Sequence, residues 1–171
     1  MDIPVIETAR LVLRSLAPSD FEAYAAMWGD PVVTRYIGGT PQTREQSWVR
    51  LLRHLGMWQV MGFGFWAVTE KETGRLVGEA GFHDLKRDVT PSLAGTMETG
   101  WGFVPEVHGK GIASETVTAI LAWGDGNRPG MRKTCLINPE NVASVRVAEK
   151  HGFREFAQST YHGAPTILFE R

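Results

Sequence analysis

The sequence predicts a single α+β domain built around a mixed, twisted β-sheet, and three observations carry that expectation. A length of 171 residues is long for a mini-domain and short for two ordinary ones, and at that size folding buries about 70% of the chain's surface. Hydrophobic residues make up 43% and charged residues 22%, a globular balance that excludes wholesale disorder. The order of elements reads β-α-α-β-β-β-α-β-α-β-β, mixing hairpins with two crossover helices.

Each element has its own signature. Arg10 to Leu16 sets Leu11 and Leu13 against Val12 and Arg14 with a period of two, which predicts a first strand. Pro18-Ser19-Asp20 opens a helix whose Phe21, Tyr24, Ala25 and Trp28 share one face, and Gly29-Asp30-Pro31 ends it. A second helix starts near Thr43, with Trp48, Leu51, Leu52 and Leu55 as its expected apolar stripe. Phe63 to Glu70 and Arg75 to Leu85 read as strands joined by a short loop ending in Gly74. Thr96 to Val104 is a further strand ending at Pro105, followed by a glycine-rich turn that runs into a helix carrying Ala113, Val117, Ile120 and Leu121. Met131 to Asn138 reads as a strand and Asn141 to Lys150 as a short helix. Gly152-Phe153 then begins a terminal β pair interrupted at Gly163. No repeat or linker divides the chain, so the expected domain spans residues 1–171.

Composition narrows the function classes. Lys and Arg number 18 against 19 for Asp and Glu, which argues against an electrostatic nucleic-acid binder. One cysteine, Cys135, excludes an intramolecular disulfide framework and a Cys-rich zinc site, and the five histidines show no metal-ligand spacing. No metal is therefore expected. The opening residues lack a signal-peptide core and no apolar run reaches membrane-spanning length, so a cytoplasmic protein without a membrane partner is expected.

The chemistry concentrates in Pro105-Glu106-Val107-His108-Gly109-Lys110-Gly111-Ile112-Ala113. A helix that begins in such a turn presents backbone N–H groups without intrahelical partners and the positive end of its dipole. Glycines at 109 and 111 let a bulky anion reach those amides, so a chain with no net positive charge can still hold a polyanion. A nucleotide-binding P-loop would need Gly at 104, where Val stands, and Ser or Thr after Lys110. A dinucleotide fingerprint would need Gly at 114, where Ser stands. Both fail. The plainer reading, a tight turn and nothing more, stays open on this stretch alone.

Further on lies INPENVASVRVAEKHGF: a strand end, an Asn-rich turn, a short helix and a Gly-Phe stop. Together with ETARLVLRSL, METGWGFVPE, HGKGIASE and a final hairpin ending LFER, in that order, this chain resembles the GNAT N-acetyltransferase family, and its RimJ/RimL-like branch in particular. The resemblance covers nearly the whole chain. It implies a sheet of about seven strands flanked by about four helices, with two parallel strands splayed apart to hold acetyl-CoA as co-substrate.

The resemblance also implies roles. Gly109 and Gly111 match the last fixed positions of the family's pyrophosphate loop, but Glu106 occupies its Gln/Arg position. The amides of His108, Gly109, Lys110, Gly111, Ile112 and Ala113 would then hold the phosphates, with Ser114 as a hydroxyl donor. Phe103 and Val104 would flank the pantetheine arm opposite the strand ending at Asn138, a backbone N–H near Val104 would polarise the thioester carbonyl, and Asn141 would bond the arm with Ser144 one turn on. Asn141 also suits a helix N-cap. Ala148 stands where many members carry the tyrosine that protonates the departing thiolate. Glu98 best matches the family's carboxylate base. His83 is the second candidate because imidazole titrates near neutrality, and Tyr161 and His162 follow. The implied partner is an amine acceptor, a protein N-terminus or a small molecule, on a monomer or homodimer. A different class, a CoA-binding sensor that has lost catalysis, draws on Glu106 and Ala148.

Overall fold

Residues 2–171 are described, in a computed structural model. Two short strands, β1 (Ile6–Glu7) and β2 (Leu11–Arg14), open the chain; Leu11 and Leu13 are fully buried, as their alternation requires. Helix α1 (Phe21–Trp28) buries Tyr24, Ala25 and Trp28. The Gly29-Asp30-Pro31 stop is also a start. The Asp30 carboxylate accepts from Val32 N and caps the single turn α2 (Pro31–Thr34), with proline at its first position.

Helix α3 (Arg44–Met61) begins in a reciprocal capping box between Thr43 and Gln46 and ends at Gly62 in the left-handed region. Its inward face is Leu51, His54, Met57 and Trp58. Leu52 is 46% exposed, correcting the expected stripe: it lies about 100° around the helix from the buried Leu51, off the packed face.

Strands β3 (Phe65–Glu70) and β4 (Leu76–His83) form the expected hairpin. They are followed by β5 (Met97–Phe103), helix α4 (Ile112–Asn127), β6 (Lys133–Ile137), helix α5 (Val142–Lys150) and the hairpin β7 (Arg154–Tyr161) and β8 (Ala164–Glu170). The eight strands lie in the order β1-β2-β3-β4-β5-β6-β8-β7, with five α-helices around them. The two elements beyond the expected number, β1 and α2, are too short for periodicity to reveal. One core fills the face under α4 and α5, with Trp66, Phe82, Met97, Val117 and Ile120; a second lies under α1 and α3, around Tyr24, Trp28 and Leu51. Cys135 is buried and free. Among the described residues no helix is long and apolar enough to cross a membrane.

Candidate active site

The sheet opens between β5 and β6. They are its parallel pair, and they are in register only at Met97–Lys133 and Glu98–Thr134, although β5 runs five residues further. Strand alternation fixes what faces the gap. Met97 N donates toward β6, to Arg132 O, whereas Val104 N donates toward β4, to Val77 O, each at 2.9 Å. Odd-numbered residues therefore aim their backbone groups at the gap, and Trp101 and Phe103 do so where no strand answers them. Val104 is corrected on this ground: its amide is committed to β4, and it does not line the cleft.

A cleft of about 500 Å³ occupies the open end of the gap. Among its lining residues are Phe103, His108, Gly109, Gly111, Ile112, Ala113, Ser114, Asn141 and Ser144, which joins nine of the expected cofactor residues around one space. Gly109 (φ +73°) and Gly111 (φ +78°) both adopt the left-handed backbone that only glycine takes readily. The amides of Gly109, Gly111, Ile112, Ala113 and Ser114 find no acceptor among the described residues. His108 N and Lys110 N, expected in the same set, instead donate to Pro105 O and Val107 O within the turn. Lys110 also stands off the cleft, its carbonyl accepting from Arg10 Nη1 at 2.9 Å. Arg10 is held in turn by Glu115 on α4 at 2.7 Å, so the turn between β1 and β2 braces the cradle. His108 contributes its ring, which bonds the Phe103 carbonyl at 3.0 Å.

Asn141 Oδ1 accepts from Ser144 N at 3.2 Å and caps α5, while its Nδ2 has no partner among the described residues and the residue lines the cleft. Asn138 is corrected: Oδ1 accepts from Glu140 N and its carbonyl from Asn141 N, each at 2.9 Å, so it builds the turn and lies outside the cleft. Ala148 is fully buried in the main core, so its position faces packing. Sequence reasoning missed the cleft's roof, Val32 to Ile37, and the cationic side chains of Arg35 and Arg146. The Asp30-Pro31 pair was the available signal, since it starts a helix as readily as it ends one.

The opposite face of the sheet carries two buried carboxylates. Glu79 bonds the Tyr24 hydroxyl and takes two hydrogen bonds from Arg50, at 2.7 and 3.0 Å. Burial alone would push its carboxyl up, but Arg50 beside it holds it well below the usual carboxylate range. His54, stacked on Phe65 at 4.3 Å, lies 3.3 Å from Glu79 without hydrogen-bond geometry. Its burial lowers its pKa to about 4.

Glu98 sits opposite His83 in the β4–β5 register, at the apex of the gap where β6 pairing stops. It bonds His83 Nε2 at 2.8 Å and Arg87 Nε through both oxygens at 2.8 and 2.9 Å. Burial raises its pKa, but the bonds from His83 and Arg87 outweigh that and leave it at about 2. A carboxylate so held has little affinity for an amine's proton, which corrects the expectation of Glu98 as the free base. Burial pushes His83 below its ordinary value despite the carboxylate. Neither residue lines the cleft. Tyr161 packs on the Arg87 guanidinium at 4.8 Å and His162 turns the β7–β8 hairpin, so neither is placed as a base.

A wider cavity of about 690 Å³ lies between α3 and the segment leading into it, with Ile37 lining both this cavity and the cleft. Among the described residues no group of three His, Cys, Asp or Glu side chains could hold a metal.

The parallel strand pair thus splays apart into a cleft that ends at unpartnered amides at a helix start, a geometry suited to an elongated ligand with an anionic end. The acetyltransferase (GNAT) domain family matches residues 10–154, and the chain belongs to that family and with it to the N-acetyltransferases. It is 29% identical over 153 residues to YoaA of Bacillus subtilis, an uncharacterized N-acetyltransferase, covering 89% of this chain and 84% of that one. A Bordetella pertussis protein described as a GnaT-family acetyltransferase superposes with a TM-score of 0.88 at 32% identity, over 99% of each chain. RimL, a ribosomal α-N-protein acetyltransferase solved with coenzyme A, shares the fold at a TM-score of 0.79 and 14% identity, over 98% of this chain and 97% of that one.

Proposed function

We propose that residues 1–171 act as one cytoplasmic domain of the RimJ/RimL-like kind, which transfers acetyl from acetyl-CoA directly to a primary α-amine. The observation that carries this reading is the β5–β6 gap, with the open backbone of Trp101 and Phe103 leading to five unpartnered amides at the start of α4. Acetyl-CoA supplies an activated acyl group when bound. The five amides hold its pyrophosphate, helped by the α4 dipole and by Arg35 and Arg146 where the family's Gln/Arg is replaced by the exposed Glu106. The backbone N–H groups of Trp101 and Phe103 and the Trp101 C=O pair the pantetheine arm as a strand would, the Phe103 carbonyl being held by the His108 ring, and Asn141 donates through Nδ2. Phe103 N–H or Trp101 N–H replaces Val104 as donor to the developing oxyanion.

For the amine's proton, His83 is the better base. A carboxylate oxygen at 2.8 Å requires a hydrogen on Nε2, so neutral His83 carries its lone pair on Nδ1, which is buried and has no partner among the described residues. Glu98 orients the ring, and Arg87 fixes Glu98. The α-amine preference follows from acidity: an amine of pKa near 8 is about 10% neutral at pH 7, whereas a lysine amine near 10.4 costs about 4.6 kcal/mol to deprotonate. The test is calorimetric titration with CoA, followed by a thiol-release assay on paired α-amine and ε-amine peptides. Binding with acetylation of the α-amine is expected. Binding without release on any amine would favour the CoA-binding sensor.

A further inference from the structure

The cavity beside α3 is open, presents polar and apolar surface in equal measure, and shares Ile37 with the lining of the cofactor cleft. Arg50 and Arg53 both line it, one turn apart on α3. Arg50 is engaged by Glu79, whereas Arg53 has no ion-pair partner among the described residues. Glu45, the carboxylate in the lining, lies eight residues back, about 12 Å along the helix axis. Partial burial and the adjacent Arg50 both disfavour the charge on Arg53, so an anion there would be stabilised. Gln42 also lines the cavity, and its buried Oε1 lacks a donor among the described residues. Its inner end is close to the reaction site: Gly102 lines the cleft, and a Cβ on it would lie 3.7 Å from Ile37 Cδ1.

We propose that this cavity receives an acceptor bearing a carboxylate as well as its α-amine, with Arg53 pairing the carboxylate while the amine passes Ile37 toward the gap. The proposal rests on the acetyltransferase reading above and names its substrate class. The carboxylate has two possible sources, the α-carboxylate of a free amino acid or an acidic side chain near a peptide's N-terminus.

Thiol-release kinetics at saturating acetyl-CoA test it, on alanine against alaninamide and on Ala-Glu-Ala amide against Ala-Gln-Ala amide. Wild type, Arg53→Gln and Arg53→Lys are compared on each pair, so the differing amine acidities cancel. Arg53→Gln is expected to cut kcat/KM for the carboxylate member at least tenfold more than for its amide, mainly through KM, and Arg53→Lys to recover part of the loss. Whichever pair responds identifies the source. Equal losses for both members, or none, would overturn the carboxylate assignment and leave the acetyltransferase reading standing. Calorimetry of N-acetylalanine binding in the presence of CoA gives a readout independent of turnover, with at least tenfold weakening expected in Arg53→Gln. If no amine is acetylated, the α-amine reading fails and the calorimetry alone decides the carboxylate site.

Discussion

His83 Nε2 and Glu98 Oε1 stand 2.8 Å apart across directly opposed positions of β4 and β5. The contact fixes the imidazole tautomer. Arg87 Nη2 lies 3.4 Å from the same Nε2, but a nitrogen that already donates to a carboxylate cannot also accept, so Arg87 acts on the carboxylate. The pair resembles a base with its orienting acid, placed where the β5–β6 gap begins.

His83→Gln is expected to lower kcat by about 10²–10⁴, the range for a lost general base. Because burial lowers the His83 pKa, the acidic limb of the wild-type kcat/KM profile should lie below the ordinary imidazole value of about 6.5. A pH–rate profile of both proteins decides. If His83→Gln keeps a wild-type limb and rate, the base is elsewhere.

Glu98→Gln tests stability, since Glu98 is 5% exposed and ion-paired. Its folded pKa, about 2, is depressed from 4.5. Its contribution is therefore complete above about 4.5, and is lost as pH falls through the folded value. The shift is equivalent to about 3 kcal/mol, comparable to the cost of breaking a buried pair. Urea denaturation should show Glu98→Gln less stable by about 3 kcal/mol at pH 7, with the gap to wild type narrowing from pH 4.5 downward. A gap that stays constant to pH 3 would show that the carboxylate's charge is not what stabilises.

His54 moves in the same direction for a different reason. It is fully buried and its folded pKa is lowered to about 4 from 6.5, so below pH 6.5 the unfolded chain takes up a proton that the folded one refuses. Stability should fall between pH 6.5 and about 4 by up to about 1.4 kcal/mol per pH unit for this group. His54→Leu should flatten that slope by up to one proton's worth, measured as the pH dependence of the urea midpoint.

Asn141 allows capping and binding to be separated. Its Oδ1 caps α5 through Ser144 N, while its Nδ2 has no acceptor among the described residues. Asn141→Ala should cost about 0.5–2 kcal/mol of stability and weaken CoA binding. Asn141→Asp keeps the capping oxygen but removes the donor, so the melting temperature should hold while CoA affinity falls several-fold. If Asn141→Asp binds CoA as wild type does, Asn141 is a cap only.

The cradle was legible in the sequence because it depends on local chemistry. Two glycines before a helix start announce free amides whatever surrounds them, and Gly109 and Gly111 were found on that basis. Glu98 and His83 both stand out in the sequence as candidate bases, but the bond between them and the hold of Arg87 on Glu98 do not, because they join residues eleven or more apart in the chain. A carboxylate's environment is a tertiary property that strand patterning does not carry. Val104 differs for a subtler reason, since one residue of alternation decides whether a backbone group faces the gap or the neighbouring strand, whereas Asn138 lies just past β6 and is taken up by the turn into α5. The roof over the cleft was lost because α2 is a single turn, too short to show a period.

Gly111 provides the sharpest test of the cradle, provided that backbone strain is controlled. Its φ of +78° strains any side chain, so a loss of binding in Gly111→Ala could come from local refolding alone. Gly130 supplies the control: its φ is +75°, a Cβ there would meet nothing within 4 Å, and it lies outside the cleft. Alanine at either position should cost about 1–3 kcal/mol of stability from backbone strain. Only at 111 would the added carbon stand among the amides proposed to hold the pyrophosphate, where it would also lie 3.5 Å from Arg10 Nη2. Gly111→Ala should therefore weaken CoA binding at least tenfold by calorimetry, and Gly130→Ala should leave it within threefold of wild type. Matched losses of stability with matched affinities would show that the turn is merely tight and that the phosphates bind elsewhere.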